Sequence, residues 1–201
     1  QRQPAPRAAG SAVTTLITHP LPALALGLAL GSNLIPPRLL LAGVLFACLP
    51  DADMLAFKLG VAYADAFGHR GFSHSLLFAG FCGLAGALSC RLFRCGPLKA
   101  GLWILLATLS HSLLDALTDG GLGVAWLWPL SQERHFLPWR PIEVSPFLHG
   151  FIVEGRLSPR AWQVLSSEAR WIWAPCLGLT LTGMLLRTSW AWLRRTRTEP
   201  A

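Results

Sequence analysis

The sequence predicts an all-α membrane protein: a polytopic helix bundle of about five spans with a metal site at one membrane face. Two observations lead to this prediction. Hydrophobic residues make up 53% of the 201 residues, charged residues make up only 13%, and the mean hydropathy is +0.47. The histidines and aspartates are grouped in short motifs that interrupt the apolar sequence. The composition is too apolar for an ordinary soluble domain of this length.

Five apolar blocks provide the predicted spans, because roughly 20 apolar residues cross a bilayer as a helix. The first is interrupted by His19 and precedes no cleavage pattern, so we expect it to be retained rather than removed as a signal peptide. The second block is short, so a re-entrant or tilted segment is the alternative to a full span. Residues 1–201 are expected to form a single integral-membrane domain. The blocks are Val13–Gly31, Leu39–Leu49, Ser75–Phe93, Gly101–Leu117 and Trp171–Trp190.

The net charge of +7 indicates topology rather than nucleic-acid binding. Short loops rich in Lys and Arg remain cytoplasmic, and attraction to anionic lipid headgroups is a secondary effect. Alternation of the spans then places all the polar motifs at the opposite face, toward the periplasm or exterior. The basic residues lie in the turn between the third and fourth blocks and after the fifth block (Arg91, Arg94, Lys99; Arg194, Arg195, Arg197).

The long polar connection over residues 118–170 is predicted to be extramembrane, on the same face as the motifs. Trp126 and Trp128 fit an interfacial aromatic belt. Ser158 and Pro159 indicate the start of a helix. Apolar residues then recur at helical spacing, which predicts a helix lying on the membrane surface before the chain re-enters. These residues are Trp162, Leu165, Ala169 and Ile172.

Two histidine motifs indicate a metal site. His111 and Asp115 are four residues apart in an apolar block, so both project from one helix face and can bind one ion. A buried ion pair is the alternative for this pair alone. A buried ion pair between His111 and Asp115 would not account for the second motif. This motif consists of His69 and His74, which lie just before the third block. Gly71 permits a tight bend between them.

Asp51 and Asp53 add oxygen ligands. On an extended segment, alternate residues would place one carboxylate on the metal and the other on a histidine, whereas a helix N-cap is the alternative for one of them. His19 alone is more typical of a headgroup contact than of a ligand. His135 and His149 have no helical partner and are left out of the site. The number of converging groups suits two metal ions rather than one tetrahedral zinc.

In combination, these motifs resemble the YdjM-like family of bacterial inner-membrane, metal-dependent hydrolases, a name that also carries a LexA-regulated label. Their order is also similar to that of the zinc-dependent phospholipase C and nuclease superfamily, which implies phosphoester hydrolysis. The downstream His-x-x-x-Glu of that superfamily is absent. The resemblance covers about residues 14–145 and rests on Pro50-Asp51-x-Asp53, His69-Arg70-Gly71-x-x-His74-Ser75, His111-x-x-x-Asp115-x-x-Thr118, and Trp128-Pro129-Leu130-Ser131 with Arg134.

With this resemblance, we expect a phosphoric ester hydrolase that uses metal-activated water on a lipid or lipid-linked substrate. Asp51 and Asp53 are the expected catalytic carboxylates. The expected substrate-binding residues are Arg70, Thr118 and Arg134, since guanidinium groups match phosphate oxygens. Membrane lipids are the expected partners. One to three divalent ions, expected to be zinc, would be bound by His19, Asp53, His69, His74, His111 and Asp115.

A metal-ion or proton-coupled transporter is the alternative function, because ionisable residues in spans also mark ion pathways. A pathway requires polar residues at several depths of the membrane. The halves of the third and fourth blocks next to the basic turn contain neither acids nor histidines. This distribution favours the hydrolase.

Overall fold

Every apolar block contains a helix in the structure, a computed structural model that describes residues 17–145 and 151–198. Residues 13–16 of the first block lie outside the described residues. The sequence therefore predicts the positions of the main helices. These are α1 (Leu21–Leu30), α2 (Pro37–Cys48), α3 (Leu76–Leu88) with the short α4 (Cys90–Phe93), α5 (Pro97–Ala116) and, at the end of the chain, α7 (Ala174–Thr198).

The second block is longer than expected. A 3-10 helix, Leu49–Leu59, continues directly from α2, so that Pro37–Leu59 forms one helical stretch of 23 residues. The expected extended segment after Pro50 is therefore wrong. Pro50 lies in the first turn of the 3-10 helix, at the junction with α2, and has no N–H to donate there. Neither of the two aspartates that follow is the N-cap of this helix.

Two stretches of the described residues are long and apolar enough to cross a membrane, Pro37–Leu59 and Pro97–Ala116. Helices α1 and α3 are apolar but shorter. A helix of about 20 residues is needed to span the hydrocarbon core without local thinning. The number of spans therefore stays a prediction.

Helix α5 forms the centre of the bundle and packs against α2 and α3. The α3 contact is close because it is formed by small residues: a Cβ at Gly83 or Gly86 would collide with the side chains of α5. Such glycines let two helix backbones approach closely. On the other side, Trp103 fills the groove above Gly43 of α2. Helix α1 lies between α2 and α7.

The connection after α5 folds over one end of the bundle. Residues 118–145 contain only isolated bridges, such as Val124 with His135. A hairpin of β1 (Ile152–Val153) and β2 (Arg156–Leu157) follows. The chain then forms α6 (Pro159–Glu168) and a π-helical turn, Ala169–Trp173, that leads into α7.

The predicted start of α6 is confirmed, because the Ser158 side chain accepts a hydrogen bond from the Ala161 N–H. The membrane-facing role of the predicted apolar stripe stays a prediction, and its residues differ in exposure. Ile172 is buried, but Trp162 is 63% exposed. The face that packs on the protein is instead offset by one residue and includes Ala161, Val164 and Glu168.

The polar motifs all lie at one end of the bundle: before α1, after α2, before α3 and at the end of α5. The basic turn between α3 and α5 lies at the other end. This arrangement agrees with the grouping that alternating spans require.

We predict that a reporter fused after Arg197 will be cytoplasmic and that one inserted at the exposed β-turn near Glu154 will be periplasmic, because short basic loops stay inside. Fusions to alkaline phosphatase, active only outside, and to a fluorescent protein that matures only inside would report each position. The opposite pattern would place the motifs on the cytoplasmic side.

Candidate metal centre

Four chain segments contribute side chains to one cluster at this end of the bundle. They are the turn before α1, the 3-10 helix after α2, the turn before α3 and the last turn of α5. All the clustered side chains are buried except that of Asp53, which is partly buried. The structure thus brings together residues that are up to 96 positions apart in sequence. They are His19, Asp51, Asp53, His69, His74, His111 and Asp115.

The ligand atoms form two overlapping groups. His19, Asp51, His111 and Asp115 have one ligand atom each within 4.8 Å of the others, and so do Asp51, His69 and His74. Asp51 belongs to both groups, whereas Asp53 belongs to neither. The arrangement has the nitrogen and carboxylate donors that zinc and similar divalent ions bind.

Hydrogen bonds at Nδ1 hold the rings of His69, His74 and His111. His111 Nδ1 lies 2.7 Å from the Ala47 carbonyl oxygen. A carbonyl oxygen only accepts, so Nδ1 carries the hydrogen and the Nε2 lone pair points into the cluster. His69 Nδ1 is likewise 2.8 Å from Asp53 Oδ1, and its Nε2 has no hydrogen-bond partner among the described residues.

Asp53 orients a second imidazole as well. Its Oδ2 is 3.2 Å from His74 Nδ1 and accepts a hydrogen bond from Ser73 Oγ. On the other side of the ring, His74 Nε2 lies 3.1 Å from His111 Nε2. Ser73 was missed in the sequence analysis; its position next to a candidate ligand was the only signal. Asp53 therefore presents His74 to the cluster through Nε2 and holds His69 at Nδ1, the His69 nitrogen that lies 4.0 Å from Asp51 Oδ1.

The cluster favours positive charge. Asp51, Asp53 and Asp115 supply three carboxylates, and Arg70 supplies one guanidinium. Burial alone would lower the pKa of His74, but the carboxylates of Asp115 and Asp53 next to its two nitrogens raise this pKa to about 9. A buried carboxylate requires a compensating charge or hydrogen bond. A divalent cation satisfies the same requirement.

His19 is placed with the cluster rather than at a headgroup surface. Its ring stacks on that of His111, with centroids 3.7 Å apart and planes inclined by 16°. Its Nε2 lies 3.8 Å from Asp51 Oδ2 and 3.9 Å from Asp115 Oδ1. The ring is fully buried, and neither nitrogen has a hydrogen-bond partner within residues 17–145 and 151–198. A buried polar atom without a partner is costly, and coordination of a cation would remove that cost.

Arg70 and Thr118, expected at the substrate, instead contact Asp115. Arg70 Nη2 donates to Asp115 Oδ1 at 2.8 Å, and Nη1 donates to Thr118 Oγ1 and to the Gly120 carbonyl oxygen. The Arg70 side chain is fully buried. In this structure these two residues hold the carboxylate of Asp115 in place.

The bend between His69 and His74 is made by Arg70, not by Gly71. Arg70 has φ of +62°, a left-handed conformation that is uncommon for a residue with a side chain. It is held there by its side-chain bonds and by the Ala125 N–H, which donates to the Arg70 carbonyl oxygen. Gly71 is needed because a Cβ would collide with the Ala66 carbonyl oxygen.

Arg134, the third expected substrate-binding residue, also has intramolecular partners. It donates to the carbonyl oxygens of His69, Tyr63 and Asp65, and so joins the 118–145 connection to the chain before His69. Of the two histidines left out of the site, His135 is half exposed and lies 4.0 Å from Glu133. His149 lies outside the described residues.

Comparison with known proteins agrees with these motifs. Residues 13–193 match the family described as YdjM inner membrane protein. The chain belongs to this family. The match to the YdjM family extends past the motifs and includes α6 and most of α7. A relative in Escherichia coli (strain K12), the inner membrane protein YbcI, is 50% identical over 182 residues, which are 90% of this chain and 98% of that protein. No solved structure matches the chain. The chain is thus an inner-membrane protein.

We predict that Arg70→Gln will strongly destabilise the protein, because it removes the guanidinium that pairs with the buried Asp115 carboxylate. Removal of one partner of a buried pair costs about 3–5 kcal/mol. The measurement is the Tm of the detergent-solubilised protein. Arg140→Gln, a change at an exposed arginine of the same connection, should leave Tm nearly unchanged. Equal Tm values for Arg70→Gln and the unmodified protein would instead favour a substrate-binding role for Arg70.

Proposed function

We propose that the protein is a membrane-embedded metal-dependent hydrolase that cleaves a phosphoester of a lipid or lipid-linked substrate. The observation that carries this proposal is the pair of buried donor groups that share Asp51. The imidazoles of His111 and His74 are held at Nδ1 by Ala47 and Asp53, so that Nε2 is the atom presented. This arrangement is typical of metal-binding histidines, whose other ring nitrogen donates to a carboxylate or a carbonyl group.

The ligand assignment that fits these contacts differs from the one expected from sequence at one position. We assign Asp51, rather than Asp53, as the carboxylate shared by two ions, with His19, His111 and Asp115 on one side. His69 and His74 lie on the other side. Asp53 has both oxygens engaged with the two histidines and Ser73, so its proposed role is to orient them.

A divalent cation at this position would supply Lewis acidity, favouring the ionisation of water near neutral pH and polarising a phosphoryl group. The protein's own contribution is positioning. Arg70 and Thr118 fix Asp115, and Asp53 fixes the two imidazoles. Asp51 is the carboxylate at the centre of the cluster, and an oxygen of Asp51 that holds no ion is proposed to take the proton from an attacking water.

The surroundings support a lipid substrate. The small remaining exposure of the cluster is at the 3-10 helix, where the side chains of Asp51 and Asp53 are 3% and 7% exposed. Large apolar residues are exposed beside them, including Leu55, Leu59 and Phe67. An apolar approach to a polar reaction centre suits a substrate that arrives from the bilayer with its phosphoester at the interface.

We predict that His111→Ala will remove bound metal and hydrolytic activity together, because Nε2 of this side chain lies in one donor group within 4 Å of both Asp51 and Asp115. The full-length protein in detergent would be analysed for metal by mass spectrometry and assayed on lipid phosphomonoesters, phosphodiesters and acyl esters. Glu133→Gln, at an exposed loop acid, should retain both properties.

The same samples distinguish hydrolysis from transport. Should the unmodified protein bind metal, cleave none of these substrates and carry metal into sealed liposomes, the hydrolase proposal would be wrong. A protein that binds no metal would exclude metal-dependent hydrolysis and metal transport, and would leave proton-coupled transport as the alternative.

We further predict that Asp51→Asn and Asp53→Asn will differ. Loss of an orienting carboxylate lowers metal affinity by about 10–100-fold, so excess metal should restore much of the activity of Asp53→Asn. Asp51→Asn removes a shared ligand and the proposed base, and the loss of about 10²–10⁴ in rate expected for a base should persist in excess metal. Metal titration of the activity of both variants would test this. Equal rescue would contradict the assignment.

A further inference from the structure

A buried acid lies beside the cluster without belonging to it. Glu168 is the last residue of α6 and is fully buried. Its Oε2 accepts a hydrogen bond from Thr18 Oγ1 at 2.7 Å. Thr18 directly precedes His19 and is also fully buried. The contact thus joins two segments that are 150 residues apart at the position where His19 enters the metal centre.

A second contact fixes the same hydroxyl group. Trp173 Nε1 donates to Thr18 Oγ1 at 2.9 Å, while the Thr18 carbonyl oxygen accepts from the Leu21 N–H. The hydroxyl therefore donates to one partner and accepts from another. With its side chain and its carbonyl both engaged, Thr18 leaves little freedom to the backbone that carries His19.

The π-helical turn makes these two contacts compatible. Glu168 and Trp173 are five residues apart, and in an α-helix they would point about 140° away from each other. The turn Ala169–Trp173 has an i→i+5 bond, from the Ala174 N–H to the Ala169 carbonyl oxygen, which brings residues five apart toward one face. Such turns within helices are frequent at functional sites.

Packing places this turn against the metal centre. Ile172 is buried together with Leu114 of α5 and Ile142, next to the turn of α5 that carries His111 and Asp115. His19 itself has no hydrogen-bond partner at either ring nitrogen among the described residues. Its position therefore depends on its neighbours in the chain and on its stacking with His111.

We infer that Glu168 is a positioning residue of the metal centre, which acts through Thr18 to hold His19 as a ligand on one side of Asp51. This inference rests on the metal site proposed above. It makes α6 and the π-helical turn part of the site, although both lie outside the histidine and aspartate motifs.

The test compares metal binding by variants of the full-length protein in detergent, with Co²⁺ as the probe. Glu168→Gln and Thr18→Val should weaken the binding of one ion by about 10–100-fold, as for other residues that orient ligands. They should also change the Co²⁺ absorption spectrum in the same way as His19→Ala. Thr18→Ser keeps the hydroxyl group and should retain the Co²⁺ spectrum and the Co²⁺ affinity of the unmodified protein.

Glu143→Gln is the matched control, because Glu143 pairs with Arg160 of the same helix but does not contact Thr18 in the described structure. It should lower Tm without changing the spectrum. If Thr18→Val and Glu168→Gln lower only Tm and bind Co²⁺ like the unmodified protein, Glu168 is merely structural and the inference is wrong. If Glu168→Gln does not fold, the Thr18→Val and Thr18→Ser pair decides the question alone.

The two proposals fail in different ways. An unmodified protein that binds no Co²⁺, or a His111→Ala variant that binds it normally, overturns the proposed metal site and the inference with it. If His111→Ala loses Co²⁺ binding as expected but Thr18→Val binds Co²⁺ like the unmodified protein, only the role of Glu168 is overturned.

Discussion

The burial of three carboxylates at one end of an apolar bundle is the constraint on which the rest of the structure depends. An isolated buried carboxylate is strongly unfavourable, so each one must be paired. Asp115 is paired with Arg70, and Asp53 with two imidazoles and Ser73. Asp51, between His74 and His111, has the weakest pairing of the three. The need for a cation is therefore concentrated where the two donor groups overlap.

This constraint explains the loop structure around the bundle. Arg70 reaches Asp115 from a left-handed backbone conformation, which residues with side chains rarely adopt. The 118–145 connection stabilises it: Thr118 and Gly120 accept from the Arg70 guanidinium, and Ala125 donates to its carbonyl group. The 118–145 connection therefore covers the cluster at this end of the bundle and is needed to assemble it.

The sequence predicts those features that depend on local pattern. Hydropathy located the helices, and spacing located the histidine and aspartate motifs. The roles of Asp51 and Asp53 were not predictable, because they depend on the 3-10 helix that follows α2 and on which carboxylate meets His69. The partner of Arg70 was not predictable, because Asp115 lies 45 residues away along the chain, and substrate binding by Arg70 stays a prediction. Glu168 had no signal at all, since its contact with Thr18 depends on a π-helical turn that residue spacing does not reveal.

The same contacts bear on the choice between hydrolysis and transport. A transported ion must leave its site toward both membrane faces, which requires ligands that can rearrange and further polar groups along the way. Here the rings of His69, His74 and His111 are held at Nδ1 by Asp53 or by a backbone carbonyl. The half of α3 that leads away from the cluster contains no acid or histidine. Fixed ligands at the end of a bundle suit an ion that stays in place, and a resident ion beside exposed apolar side chains suits chemistry on lipid substrates.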